Sequence, residues 1–216
     1  MYYWAVARLE VLHTEEQITS ALTELSRKLA EEITAGALNI VAFLTVCDGG
    51  IHVSSFLQKA LSRLSIGVLP YTCNSEGYNG SIASQERKVR LNLTSQDIEQ
   101  LQSNPEMLLL IVDEISDSGE SLIAIQKELN RIGVNNPART VTLYSREVGE
   151  DKTHPDYAAF RVDGTLFLLG WGLDYKNHGA ALEFVVMLIL DSPDEVINEK
   201  DLERLFVETR KRLQAA

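Results

Sequence analysis

The sequence predicts an α/β fold: a central, mainly parallel sheet flanked by helices. Three observations carry that expectation. Near-continuous apolar runs at Leu38–Val46, Met107–Val112 and Phe184–Leu190 read as strands covered on both faces. Between them stand stretches whose apolar residues recur with helical spacing. After the most apolar run comes a short loop carrying acids, hydroxyls and a glycine, placed where open α/β sheets bind ligands.

Each element has its own local warrant. Thr14 to Gln17 forms a capping box, and Ile18, Leu22, Leu25, Leu29 and Ile33 mark one face of the helix that follows, which Gly36 ends. Leu38–Val46 is a buried strand, and Asp48-Gly49-Gly50 turns the chain into a helix carrying Val53, Phe56, Leu57, Ala60 and Leu64. Ile66–Tyr71 resumes as a strand. Thr72–Glu86 is polar and contains glycine, and its length suits a functional loop. Val89, Leu91 and Leu93 alternate as in a strand, and 95–103 makes a short helix before the central strand. Leu122, Ile125, Leu129 and Ile132 define the next helix, followed by a strand at Val141–Tyr144. Ala158–Val162 and Thr165–Leu169 pair as a hairpin around Asp163-Gly164. Phe184–Leu190 is the last strand. Ser192-Pro193 then precedes an amphipathic helix over 199–214.

The segment with the most chemistry is Leu108–Ser121. Its apolar run stops at Asp113-Glu114 and continues as Ile115-Ser116-Asp117-Ser118-Gly119-Glu120-Ser121 before the helix begins. A helix N-terminus offers backbone N–H groups and the positive end of a dipole, which suits phosphate. Acids just upstream suit ribose hydroxyls or a magnesium ion sharing the phosphate charge. A plain alternative is an acidic surface turn with Asp117 or Ser118 as the helix N-cap.

Size and composition bound the function. At 216 residues the chain fits one domain with an appendage, and its 45% hydrophobic content suits a soluble globular protein. A net charge of −11 argues against nucleic-acid binding, which needs a basic surface. With a polyanionic substrate, a divalent metal would supply much of the missing positive charge. Cys47 and Cys73 are the only cysteines, too few for a disulfide framework or zinc cluster. No signal-peptide pattern is visible, and the apolar runs are far shorter than the roughly 20 residues a membrane span needs. A cytoplasmic, membrane-free setting is expected.

The segment 113–121 resembles the phosphoribosyl-pyrophosphate motif of type I phosphoribosyltransferases: two acids, two apolar residues, then Asp-Thr/Ser-Gly-x-Thr/Ser. A second, separate match points to the hypoxanthine-guanine branch. Pro155-Asp-Tyr-Ala-Ala-Phe160 and Leu166-Phe-Leu-Leu-Gly-Trp-Gly-Leu-Asp-Tyr175 are similar to that branch's "PDYVGF … FVVGYGLDY". The resemblance implies a type I phosphoribosyltransferase fold with a small hood subdomain. The domain would cover 1–190, its hood drawn from the N-terminal segment and about 146–190, with 191–216 as a helical extension. It further implies transfer of a 5-phosphoribosyl group from phosphoribosyl pyrophosphate to a 6-oxopurine, with Mg2+ as cofactor and a homodimer or homotetramer as the assembly.

The same resemblance assigns roles. Asp117 is the general base for the purine N7 proton. Ser118, Gly119, Glu120 and Ser121 cradle the 5′-phosphate. Asp113 and Glu114 hold the ribose diol, directly or through metal, and Asp174 helps hold magnesium. Asp48, Gly49 and Gly50 form the pyrophosphate loop, and Tyr78 matches a mobile lid. Phe167 stacks on the purine, and the Leu168 backbone reads its edge. The family's base-reading lysine falls on Ser145, with Arg146 next door.

Departures from the family pattern keep a second class open. Asp48 stands where a basic residue is usual, Ser145 where a lysine is, and Ala180 where an arginine contacts pyrophosphate. Glu120 adds negative charge to the phosphate loop. The alternative is a catalytically weak or inactive phosphoribosyltransferase-fold sensor or regulatory partner.

Overall fold

The computed structural model describes residues 8–47, 49–76, 88–147, 153–164, 166–174, 178–189 and 197–215. In chain order the elements begin with β1 (Arg8–His13), α1 (Glu15–Ala35), β2 (Ile40–Cys47), α2 (Ile51–Arg63) and β3 (Gly67–Glu76). Next come β4 (Lys88–Leu91), α3 (Ser95–Gln102), β5 (Leu109–Ser116), α4 (Glu120–Arg131) and β6 (Ala138–Glu147). The chain closes with β7 (Tyr157–Asp163), β8 (Phe167–Leu169), β9 (Val185–Ile189) and α5 (Glu199–Ala215). They fall into two compact units, one of residues 20–164 and one combining 1–19 with 165–216.

The larger unit is a six-stranded sheet in the order β4-β3-β2-β5-β6-β7. All its pairings are parallel except β3 with β4. The central strands β2 and β5 are buried without alternation, as a sheet covered on both faces requires: Val41–Leu44 and Leu110–Val112 have almost no exposed surface. One face packs Ala42, Leu44, Val46 and Ile111 against Leu122, Ile125 and Leu129 of α4. Three buried leucines and isoleucines of this kind each stabilise the fold by about 1.5–3 kcal/mol. Helix α1 starts at the expected capping box, where the Thr14 N–H donates to Gln17 Oε1 (2.9 Å) and the Gln17 N–H to Thr14 Oγ1 (3.3 Å). Near its other end Glu32 takes Arg139 Nε of β6 at 3.1 Å and the Tyr157 hydroxyl of β7.

The smaller unit is an antiparallel sheet in the order β1-β9-β8. Leu9, Val186, Leu188, Ile197, Leu202 and Leu205 form its core, and α5 packs on β1. From the segment 191–216, set apart in the sequence as an extension, Ile197, Leu202 and Leu205 belong to this core. Residues 146–164, assigned in the sequence to a hood, belong to the larger unit.

Three local expectations need correction. No hairpin forms around Asp163-Gly164: β7 pairs in parallel with β6, whereas β8 pairs with β9 in the other sheet. Two short apolar runs about an Asp-Gly look like a hairpin, but each finds a more distant partner. Second, Thr72–Glu76 continues β3 instead of opening a loop, because Cys73–Glu76 pair with Lys88–Leu91. Tyr78 lies outside the described residues. Third, Arg8–His13 is a strand that the sequence reading did not identify, paired with β9 some 175 positions away. Among the described residues, no helix is long and apolar enough to cross a membrane.

Candidate functional site

The neighbouring parallel strands β2 and β5 run out at the same edge of the larger sheet, each into a helix. Both helices begin at a glycine, Gly50 for α2 and Gly119 for α4, and neither has a side-chain cap. The steric reasons differ. Gly50 has an ordinary right-handed backbone, but a Cβ there would lie 2.7 Å from the Val46 carbonyl oxygen and 2.8 Å from that of Val112. It is wedged between the two strands. Gly119 adopts φ +80°, which L side chains disfavour, and a Cβ would run into the Thr153 carbonyl. The plain alternative, Asp117 or Ser118 as a capping side chain, is not what forms. Ser118 Oγ accepts only a long 3.4 Å bond from the Glu120 N–H.

Asp113 and Glu114, consecutive on β5, send their side chains to opposite faces. Asp113 is buried on the α4 side, its Oδ1 accepting the Glu114 N–H at 2.9 Å. The nearby Cys73 thiol is pushed up to about 12, first by burial and then by the Asp113 charge. Cys73 is therefore a packing residue at neutral pH. Glu114, half-buried, lies against Gly49: a Cβ there would collide with its carboxylate. The two acids therefore do not form one pincer.

No group of three His, Cys, Asp or Glu side chains is arranged to hold a metal among the described residues. Magnesium does not require one, since it keeps several waters and binds through one or two carboxylates plus substrate phosphates. Glu114, beside the loop, fits that demand. Asp113, already engaged by a backbone donor and largely enclosed, fits it less well.

Asp117 stands at the loop crest with its side chain 59% exposed, and Arg146 Nε lies 2.7 Å from its Oδ1. Arg146 Nη1 donates to the Gly164 carbonyl at 3.2 Å. With one partner so exposed, the pair contributes only about 0–1 kcal/mol to stability, and it opens easily. Ser145, the position reached by counting along the family pattern, is buried in β6. Strand alternation puts the next residue on the other face, so the arginine reaches Asp117 and the serine does not. That periodicity was the signal available in the sequence. Glu120 is exposed, and Ser121 is half-buried in the first turn of α4.

The remaining predicted residues lie in the smaller unit. Phe167 opens β8 with a partly exposed side chain, and Leu168 is buried opposite Met187. Asp174 is exposed. Between them Gly170, Trp171 and Gly172 are successive residues with positive φ, which ends β8 after three residues. The Trp171 indole N–H fixes this bend by donating to the Glu183 carbonyl at 2.6 Å. Ala180 offers no charge but accepts the Gly172 N–H through its carbonyl, at 2.9 Å. The nearest counterpart is His178, 3.9 Å from both Glu199 and Glu203 of α5. Asp48 lies outside the described residues.

No protein-family profile matches the chain, and no curated protein does. Solved structures do. A hypoxanthine phosphoribosyltransferase from Trypanosoma cruzi in complex with the product IMP aligns at TM-score 0.66 and 21% identity, over 88% of this chain and 97% of that one. One from Staphylococcus aureus aligns at TM-score 0.68 and 22% identity, over 83% of this chain and 91% of that one. A structure from a study of an invariant aspartic acid in these enzymes aligns at TM-score 0.68 and 22% identity, over 87% and 97%. The chain has the type I phosphoribosyltransferase fold, as its motifs led one to expect.

Proposed function

We propose that the protein is a purine phosphoribosyltransferase that transfers a 5-phosphoribosyl group from phosphoribosyl pyrophosphate to a 6-oxopurine such as hypoxanthine, guanine or xanthine. The observation that carries this reading is the β5–α4 loop. An exposed carboxylate, Asp117, stands two residues before Gly119, the N-cap of α4, which makes no side-chain cap bond. Backbone donors at 118–121 suit the 5′-phosphate. The β2–α2 loop at Gly49 and Gly50 supplies a second helix start for pyrophosphate.

Purine N9 attacks C1′, the C1′–oxygen bond to pyrophosphate breaks, and the N7 proton passes to Asp117. The barrier falls mainly through positioning of the two reactants and general-base catalysis. Glu114 would hold magnesium together with substrate oxygens and Asp174, with Asp113 supporting from behind the strand. When bound, the ion neutralises charge on the leaving pyrophosphate. Phe167 and Leu168 would take the purine ring and its edge, with Ser145 of β6 as a further base-site candidate. Purine salvage in the cytoplasm, by a homo-oligomer, fits this chemistry.

Pyrophosphate release from phosphoribosyl pyrophosphate, magnesium and each base tests the proposal. Asp117→Asn should lower turnover by about two to four orders of magnitude while leaving cosubstrate binding by calorimetry largely intact. Unchanged turnover would remove Asp117 as the base. Glu120, a negative charge in the phosphate turn, favours the second reading of a sensor. That reading requires nucleotide binding without pyrophosphate release.

A further inference from the structure

We propose that Asp156, in the crossover from β6 to β7, is a positioning residue for the phosphate turn and acts on it through Thr153. The inference rests on the reading above in one respect, that the turn at 118–121 takes a phosphate, and it traces the shape of that turn to a distant part of the chain. Thr140, buried near the start of β6, donates to Asp156 Oδ2 from its N–H and from its hydroxyl, both at 2.7 Å. The same hydroxyl accepts the Asp156 N–H at 2.9 Å. These bonds fix the chain one residue before β7 joins the parallel ladder at Tyr157. Three residues upstream, the Thr153 carbonyl occupies the space that a side chain on Gly119 would need, and a Cβ there would also lie 2.9 Å from Thr153 Cβ.

The link between the two points is short and stiff. Proline fixes its own φ and holds the residue before it to extended conformations, so His154-Pro155 acts as a strut. Three residues reach at most about 10 Å, which leaves Thr153 little room to swing while Asp156 is held. Gly119, at φ +80°, would otherwise leave the left-handed region as readily as it enters it. With the Thr153 main chain against it, that freedom is gone before a ligand arrives. A turn ordered in advance binds more tightly, because the ordering is not charged to the binding step. Asp117 is held separately, by Arg146 at 2.7 Å. Loss of the Asp156 clamp should therefore appear in phosphate affinity and not in the chemical step. The start of β7 is also pinned from a second side, where the Tyr157 hydroxyl donates to Glu32 of α1, and that bond has no path to Gly119 through the strut.

The test measures ribose 5-phosphate binding by calorimetry, thermal unfolding, and initial rates of pyrophosphate release, for wild type and four variants. Asp156→Ala should weaken ribose 5-phosphate about 10-fold, the effect of one hydrogen bond to a charged acceptor. The KM for phosphoribosyl pyrophosphate should rise by a similar factor, with kcat changed by less than about threefold. Asp156→Asn keeps an oxygen that can accept both Thr140 donors, and should stay within about threefold of wild type. Pro155→Gly leaves the clamp intact and loosens the strut, so binding should weaken by about three- to tenfold; it carries the test should Asp156→Ala not fold. Tyr157→Phe frees the same end of β7 from α1 and should lower the unfolding temperature while leaving affinity within about twofold. Wild-type affinity in Asp156→Ala or Pro155→Gly, or an equal loss in Tyr157→Phe, would overturn the assignment and leave the transferase reading standing. A wild type that binds ribose 5-phosphate but releases no pyrophosphate with any purine would overturn the transferase reading alone. One that neither binds nor releases would overturn both.

Discussion

Two kinds of helix start coexist in this molecule. Helices α1, α3 and α5 begin with side chains in the cap: Thr14 with Gln17, Thr94 with Asp97, and Asn198 with Asp201. Helices α2 and α4 begin at bare glycines. A cap contributes roughly 1 kcal/mol, so leaving it out forgoes stability. The uncapped starts are the two that follow the central strands, at the sheet edge where a ligand would bind. Under the proposed function, first-turn donors there would serve phosphate in place of a serine or aspartate of the same chain.

Substitutions on either side of that contrast can break it. The largest effect is expected for Gly119→Ala, which puts a Cβ on a left-handed residue and against the Thr153 carbonyl. Its affinity for ribose 5-phosphate should fall by on the order of 100-fold, since the left-handed conformation costs L residues about 1–2 kcal/mol and the clash with the Thr153 carbonyl adds to it. Gly50→Ala should come next. The new methyl meets backbone oxygens of two strands that cannot yield, so urea unfolding should show about 1–3 kcal/mol of destabilisation. Pyrophosphate binding should weaken with it. The smallest effect belongs to Thr94→Ala, which should cost about 1 kcal/mol in the same assay and leave ligand affinity within about twofold. If Thr94→Ala weakened binding as much as Gly119→Ala, the division between structural and ligand-directed helix starts would be wrong.

Much of this was legible in the chain. The buried runs of β2 and β5, the apolar faces of α1 and α4 and the Thr14 capping box are local patterns, and local patterns survive folding when packing agrees with them. What escaped was non-local. Whether Ala158–Val162 pairs with its sequence neighbour or with β6 depends on which partner lies beside it in space, and an Asp-Gly step cannot report that. Strand β1 likewise has meaning only beside β9. In the candidate site, the motif pointed to the 113–121 loop and named Arg146 only as the neighbour of Ser145, without its approach to Asp117. Counting positions along a family pattern led to Ser145, whereas the pleat of β6 directs Arg146 to the loop.

The close seating of Glu114 on Gly49 shapes how this protein can change over generations. The contact is with the far end of a flexible side chain, so a larger residue at 49 can be admitted by a turn of Glu114, and what changes is where that carboxylate stands.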